Sequence, residues 1–107
     1  MADLSPDNDY FTTISVFRAK PQNQQELYAL LREGEEELAG FPGLVSATLH
    51  LGEDGERVIG YSQWLDEKDF QAMRGRADRK EHFQQVRGLV ESVDLIACRV
   101  AYTNDKN

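Results

Sequence analysis

The sequence contains few residues that could cross-link the chain or hold a metal ion. Its single cysteine, Cys98, excludes an internal disulfide and a multi-cysteine metal site. The two histidines, His50 and His82, are far apart and begin no zinc-binding pattern. No apolar run approaches about 18 residues, and the first residues lack a basic segment followed by an apolar one. These absences predict a reduced, cytoplasmic protein with no metal site and no association with a membrane.

Positive charge is also scarce. Lysines and arginines number 12 and aspartates and glutamates 19, which gives a net charge of -7. Phosphate backbones repel such a surface, so we expect no nucleic-acid partner. The most basic segment, Arg74–Lys80 (RGRADRK), is interpreted as a solvated link between helices, with an anion-binding site as the alternative. The acidic run Glu33–Glu37 (EGEEE) is interpreted as the solvent-exposed face of a helix.

Length and composition predict one globular domain. The chain has 107 residues, of which 40% are hydrophobic and 29% charged. We expect the domain to span residues 10–103, with a flexible N-terminal tail at 1–9 and a C-terminal tail at 104–107. Tyr10–Ala19 is β-branched and aromatic, which predicts a first strand. After Pro21, apolar residues at spacings of three and four predict an amphipathic helix that ends near Gly40.

A β-hairpin is predicted next. Two strand-like runs, LVSATLHL (44–51) and RVIGYSQW (57–64), are joined by GEDGE. Asp54-Gly55 between them predicts a type I′ turn with positive φ at both residues. This register places Leu49 opposite Gly60, Ala47 opposite Ser62 and Val45 opposite Trp64.

The rest of the chain completes a familiar order of elements. Asp66 is the predicted N-cap of a second helical region, which breaks near Gly75–Asp78. A second apolar stripe then runs through Phe83, Val86, Leu89 and Val90. Val93–Tyr102 is the predicted fourth strand. The order β-α-β-β-α-β predicts a ferredoxin-like α+β fold, with an antiparallel four-stranded sheet and both helices on one side.

Apolar residues on both faces of the strands indicate that the sheet has a second cover. In the last strand, Leu95 and Ala97 alternate with Ile96 and Cys98. Two helices cover only one face, so the other would expose a large apolar patch. The simplest cover is a second copy of the chain. We therefore predict a homodimer in which two sheets form a dimeric α+β barrel.

The strand end RVIGYSQWLD (57–66) indicates a pocket. Gly60 and Ser62 stand on the same face as Trp64, the single tryptophan, so the strand leaves space beside its bulkiest side chain. A ligand pocket would use that space. The alternative is a core indole at the end of the sheet, beside a glycine that marks a twist point.

Residues 41–73 (FPGLVSATLHLGEDGERVIGYSQWLDEKDFQAM) resemble the antibiotic biosynthesis monooxygenase family of dimeric α+β barrels. The shared features are the Pro-Gly before a strand ending in SAT.H, the acidic-Gly hairpin, the Y.QW strand end and a Phe six residues after the Trp. The family's fold order covers Tyr10–Thr103. The resemblance implies cofactor-free oxidation of a polycyclic phenolic polyketide by O₂, in a dry aromatic slot with a base and a donor for the developing oxyanion.

The resemblance also assigns individual positions. It makes Trp64 the pocket tryptophan, whose indole N–H can donate to a substrate oxygen. Gly60 stands where such oxygenases carry Asn, and Leu49 and Phe70 stand where they carry Tyr. The helix Arg that binds substrate falls on Gln84 or Gln85. These departures make the predicted pocket more apolar.

We predict Trp64 and His82 as catalytic residues, His82 as a base because an unperturbed imidazole titrates near neutrality. For His82 the alternatives are a haem-iron ligand and a partly exposed structural histidine. The predicted substrate-binding residues are Leu49, Gly60, Ser62, Phe70, Met73 and Phe83. The predicted function is that of a cofactor-independent monooxygenase acting on an aromatic or quinol-like small molecule. Haem degradation by a related branch of the superfamily and a non-catalytic dimer that binds a small molecule are the alternatives.

Overall fold

The computed structural model describes residues 2–104, so residues 1 and 105–107 of the predicted tails lie outside the described residues. Strand β1 spans Phe11–Ala19, helix α1 Gln24–Glu37, strand β2 Leu44–Leu51 and strand β3 Arg57–Trp64. Helix α2 (Glu67–Arg74), a 3₁₀ turn (Ala77–Arg79) and helix α3 (Lys80–Leu89) lead into strand β4 (Val90–Cys98). The predicted order of strands and helices is confirmed.

The four strands form one antiparallel sheet in the order β2-β3-β1-β4, which confirms the ferredoxin-like α+β fold. The helices cover one face of the sheet and divide its core into two clusters. At one end, Leu27 and Leu31 of α1 pack with Val58 of β3 and Val86 of α3. At the other end, the buried cluster consists of Leu38, Trp64, Phe70 and Met73.

The hairpin register is confirmed at two of its three predicted pairs. Leu49 faces Gly60 and Ala47 faces Ser62, but Trp64 faces Leu44 because the register shifts between Leu44 and Ser46. A bulge in β2 therefore takes Val45 out of the predicted pair.

The predicted type I′ turn is wrong. Gly55 has a φ of 75°, whereas Asp54 is not among the residues of positive φ. The loop is longer than two residues, since the Gly52 N–H donates to the carbonyl of Arg57 at 2.7 Å. The Asp54 carboxylate accepts from the backbone N–H groups of Glu56 and Arg57, at 2.8 and 3.0 Å. A side chain thus supplies two of the turn's hydrogen bonds, as aspartates commonly do.

Helix ends were predicted with mixed success. Asp66 caps α2 as expected, because its carboxylate accepts from the N–H of Lys68 at 2.8 Å. Helix α1 begins at Gln24, three residues after Pro21. Strand β4 spans Val90–Cys98 instead of the predicted Val93–Tyr102, and Val90 was expected to lie on the apolar stripe of the preceding helix. Val90 pairs with Ala19 of β1 next to a register shift, so strand pairing overrides the helical spacing there.

The face of the sheet opposite the helices, here called the open face, carries Ile14 paired with Tyr61 on one side and with Ile96 on the other. Ile96 is 51% exposed. The segment before β1 contacts one end of this face, where the fully buried Gln63 amide exchanges two hydrogen bonds with the backbone of Asp3, at 2.8 and 2.7 Å. Among residues 2–104, no helix combines the length and apolar character needed to cross a membrane.

Candidate active site

A cavity of about 440 Å³ lies between the sheet and the helices. This volume falls in the range of small-molecule sites. The floor comes from β1, β3 and β4, and the walls come from the three helices and the 3₁₀ turn. Six of the eight residues predicted from the sequence line it: Ser62, Trp64, Phe70, Met73, His82 and Phe83.

The other two predicted residues, Leu49 and Gly60, line a smaller cavity of about 60 Å³ that shares Ser62 with the larger one. A methyl group at Gly60 would contact Leu49 at 3.6 Å and Phe17 at 3.8 Å, which are ordinary van der Waals distances. The glycine therefore leaves room for little more than a methyl group. Most of the open volume lies over Ser62 rather than over Gly60.

Trp64 forms part of the cavity wall while being only 1% exposed. Its ring packs edge-on against Phe41 and Phe70, with ring centroids 5.9 Å apart in both pairs. The indole N–H donates to the hydroxyl of Ser62 at 3.2 Å. The pocket and core interpretations of this residue therefore both apply, and its N–H already has an acceptor within the protein.

That hydrogen bond belongs to a short polar chain in the cavity floor. The Ser62 Oγ lies 2.6 Å from the Thr13 Oγ1, and both residues line the cavity. Trp64 donates to Ser62, and one of the two hydroxyl protons makes the bond between Ser62 and Thr13. The remaining hydroxyl proton has no acceptor within this chain of three groups. The chain can therefore donate one hydrogen bond to an oxygen atom of a bound molecule.

His82 lies on α3 and its ring rests against the backbone of α1 at Gly34. A methyl group at Gly34 would lie 2.4 Å from the His82 Cε1, so only glycine allows this approach. Burial and the nearby Arg79 cation lower the pKa of His82, while Glu37 and Glu33 oppose that shift. These effects favour the neutral imidazole in the cavity wall.

Glu35 was not among the site residues predicted from the sequence. It belongs to the acidic run that was interpreted as a solvated face, but its side chain lines both cavities. Burial raises the pKa of its carboxyl group, and the charge of Arg79 opposes that shift. The sequence did contain a signal, because Glu35 stands four residues after Leu31 and three before Leu38, on the buried stripe of α1.

Arg79 was also missed as an individual residue, although its segment had an anion-binding site as an alternative. Arg79 is buried, with 6% of the residue exposed, and its Nη1 donates to the carbonyl of Gly34 at 3.0 Å. Its guanidinium lies over the Phe83 ring at 5.4 Å and its Nη1 is 3.7 Å from the Glu37 carboxylate. The buried Nε has no hydrogen-bond partner among the described residues.

The ionisable residues of the cavity wall are three arginines, one glutamate and one histidine, in a chain whose net charge is -7: Arg74, Arg79, Arg87, Glu35 and His82. Within residues 2–104, no group of three or more His, Cys, Asp or Glu side chains could hold a metal ion. The cavity therefore combines apolar walls with a few polar groups that could orient an oxygen-bearing aromatic molecule.

The fold and the cavity together define a ferredoxin-like α+β protein with a cavity of small-molecule size between its sheet and its helices. Residues 11–87 match the antibiotic biosynthesis monooxygenase family, and the chain belongs to that family. It is 40% identical over 104 residues to tetracenomycin-F1 monooxygenase of Streptomyces glaucescens. That similarity covers 96% of this chain and 92% of the relative.

Solved structures show the same fold at lower sequence identity. SnoaB of Streptomyces nogalater, a cofactor-independent oxygenase whose structure was solved as a point mutant, superposes with a TM-score of 0.80 at 18% identity. The superposition covers 92% of this chain and 99% of that one. The family resemblance noted in the sequence is thus confirmed over most of the domain.

Proposed function

We propose that this protein is a cofactor-independent monooxygenase that oxidises an aromatic or quinol-like small molecule of the polyketide type with O₂. The observation that carries the proposal is the 440 Å³ cavity, whose wall contains Trp64 together with a small set of polar groups. The 40% identity to a tetracenomycin-F1 monooxygenase supports the substrate class. The likeness to a cofactor-independent oxygenase supports chemistry without a cofactor. The single cysteine of the present chain, Cys98, is consistent with the proposed cytoplasmic location.

The proposed reaction needs no external reductant. A phenol with hydrogen on its para carbon becomes a quinone when one atom of O₂ enters at that carbon and the other leaves as water. The phenol supplies all four electrons that O₂ accepts. The protein must hold the ring, remove a proton to make it electron-rich, and stabilise negative charge on oxygen.

The cavity offers a group for each of these tasks. Trp64, Phe70 and Phe83 form aromatic walls for a ring. The spare hydroxyl proton of the Ser62–Thr13 pair can donate to a developing oxyanion. Two groups in the wall can accept a proton, His82 and Glu35. We propose catalytic or positioning roles for Trp64 and His82. We also propose that Leu49 and Gly60 contact a substituent of the substrate that enters the smaller cavity.

Oxygen uptake tests the proposed activity. With a panel of dihydroxynaphthalenes and anthrones, we expect the wild-type protein to consume O₂ above the buffer rate without added metal or flavin. Trp64→Phe removes the hydrogen bond to Ser62, worth about 1 kcal/mol, and we expect it to lower the rate roughly five- to tenfold.

No uptake with any member of the panel would contradict the monooxygenase proposal. A co-purified small molecule with no product under air would then favour the binding dimer. Addition of haemin tests the other alternative, because one equivalent bound per chain with a Soret band would favour haem degradation.

We also propose that the active form is a homodimer joined through the open face. The support is the apolar character of that face, where half-exposed Ile96 pairs with Ile14. We expect light scattering after gel filtration to give twice the chain mass. Ile96→Lys places one unpaired charge per chain, and so two per symmetric dimer, in the interface. Each costs roughly 3 kcal/mol, so we expect dimer dissociation to become at least about 100-fold more favourable.

Leu65→Lys is the matched control, since Leu65 is 61% exposed and lies outside the sheet. It should leave the dimer intact. A wild-type monomer at micromolar concentration, or equal effects of the two lysine variants, would contradict this interface.

A further inference from the structure

Glu35 occupies an unusual place for a residue of an acidic helical run. Its neighbours Glu36 and Glu37 are exposed, and Glu36 pairs with Arg32 at 2.9 Å on the outer surface of α1. Glu35 instead lies where the large and small cavities meet, since both are lined by Glu35, Ser15 and Ser62. It is therefore a carboxyl group placed inside the apolar site.

We propose that Glu35 is the general base that takes the phenolic proton of the substrate. This inference rests on the proposed function and deepens it, because it assigns the proton acceptor of the same site. It also restricts the substrate class to molecules with an ionisable phenolic or enolic hydroxyl that reaches the junction of the two cavities.

The electrostatics of the site favour Glu35 over His82 as this base. When Glu35 accepts a proton, a partly buried charge disappears, which burial favours and the Arg79 cation opposes to a smaller extent. When His82 accepts one, a new cation forms beside Arg79 in the same wall, and both burial and that neighbour oppose it. Burial raises the pKa of Glu35 and lowers that of His82, so the carboxylate becomes a stronger base and the imidazole a weaker one.

The proton can be followed through the whole reaction. The Glu35 carboxylate takes the phenolic proton, and the phenolate passes one electron to O₂. The resulting radical and superoxide combine at the para carbon to form a peroxide anion, which takes the proton back from Glu35. Glu35 then removes the hydrogen from that carbon while the O–O bond breaks, and hydroxide leaves. The hydroxide and this proton make the released water, and the carbonyl remains.

The groups that face Glu35 set its pH response. The strands contribute no charged group to the cavity: their polar groups there are the hydroxyls of Thr13, Ser15 and Ser62 and the indole N–H of Trp64. The ionisable groups from the packed elements are Arg74, Arg79, His82 and Arg87. Because the pKa of Glu35 is raised overall, we expect kcat/KM to fall with decreasing pH through a value above the ordinary glutamate range. Glu35→Gln should remove this acid limb.

The first test compares Glu35→Gln with Glu36→Gln, which makes the same chemical change one residue away on the exposed side of α1. We expect Glu35→Gln to lower kcat about 100-fold or more, with KM changed less than about threefold. Glu36→Gln should stay within about twofold of wild type. Equal activity of Glu35→Gln and wild type would overturn the assignment. It would also be overturned if His82→Gln lowered kcat about 100-fold and removed the acid limb of the pH profile.

The second test separates this inference from the proposed oxygenase activity. Under nitrogen, 1,8-dihydroxyanthrone is added near neutral pH and its anion is followed by absorbance. We expect the wild-type protein and Glu36→Gln to produce the bound anion and Glu35→Gln to produce none. Anion formation under nitrogen, with no O₂ uptake when the same mixture is exposed to air, would overturn only the oxygenase function. Oxidation with equal anion formation in wild type and Glu35→Gln, or no anion in wild type, would overturn the role of Glu35.

Discussion

Replacing Trp64 with alanine is expected to lower the free energy of unfolding by about 3–5 kcal/mol. Trp64 is 1% exposed and contacts two aromatic rings edge-on, those of Phe41 and Phe70. Removing the indole deletes those contacts and adds its volume to the existing cavity. The surrounding side chains can then fill only part of the enlarged space. The Ser62 hydroxyl also loses its indole donor. This residue therefore stabilises the fold as well as the wall of the site.

The measurement is chemical denaturation followed by far-ultraviolet circular dichroism, because Trp64 is the single tryptophan and its removal abolishes tryptophan fluorescence. Leu65→Ala, at the next and largely exposed position, should change the stability by less than about 0.5 kcal/mol. A loss below about 1 kcal/mol in Trp64→Ala would mean that the indole is not part of a packed core.

Gly34→Ala is expected to destabilise the protein by about 1–3 kcal/mol, although alanine is normally the better helix former. The new methyl group would lie 2.4 Å from the His82 Cε1 and 2.5 Å from its Nε2, so the imidazole must leave its place on α1. The cavity wall then changes shape. We expect weaker substrate binding together with the loss of stability.

Gly88→Ala is the matched control for this substitution. Gly88 lies on α3, and a methyl group there would meet nothing within 4 Å. We expect this change to stabilise the protein by about 0.5 kcal/mol through helix propensity. His82→Ala should relieve most of the cost of Gly34→Ala in a double-mutant cycle. Destabilisation by both glycine substitutions, or no coupling with His82, would contradict the close packing of His82 on α1.

The fold was largely predictable from the sequence because the signals that identify its strands and helices are local in the chain. Hydrophobic spacing identifies α1, alternation identifies the hairpin strands, and the Asp66 cap fixes the start of α2. Each of these signals depends on residues within one or two turns of one another. Two errors occurred where pairing between segments changes the local backbone, at the Val45 bulge and at Val90. The type I′ turn was wrong for a local reason, because the Asp54 carboxylate accepts hydrogen bonds within the loop.

The candidate site was only partly predictable. Trp64, Ser62 and His82 were identified because a single tryptophan, a small residue beside it and a helical histidine stand out in the sequence. Glu35 and Arg79 did not stand out, since each belongs to a run of like charges that is usually solvated. Their burial depends on how α1 and the 3₁₀ turn pack over the sheet. A run of charged residues in the sequence gives no information about that packing.

The sequence by itself determined the order of strands and helices, the two-residue alternation of the sheet and the positions that one face presents, because these follow from local backbone sterics and burial patterns. Only the tertiary structure decided which polar groups share the cavity. Thr13 and Ser62 are 49 residues apart in the chain and 2.6 Å apart in the sheet. His82 reaches α1 only because Gly34 has no side chain there. Such contacts join segments that are distant in the chain. They are determined by how the elements pack, and the spacing of residues along the sequence does not reveal them.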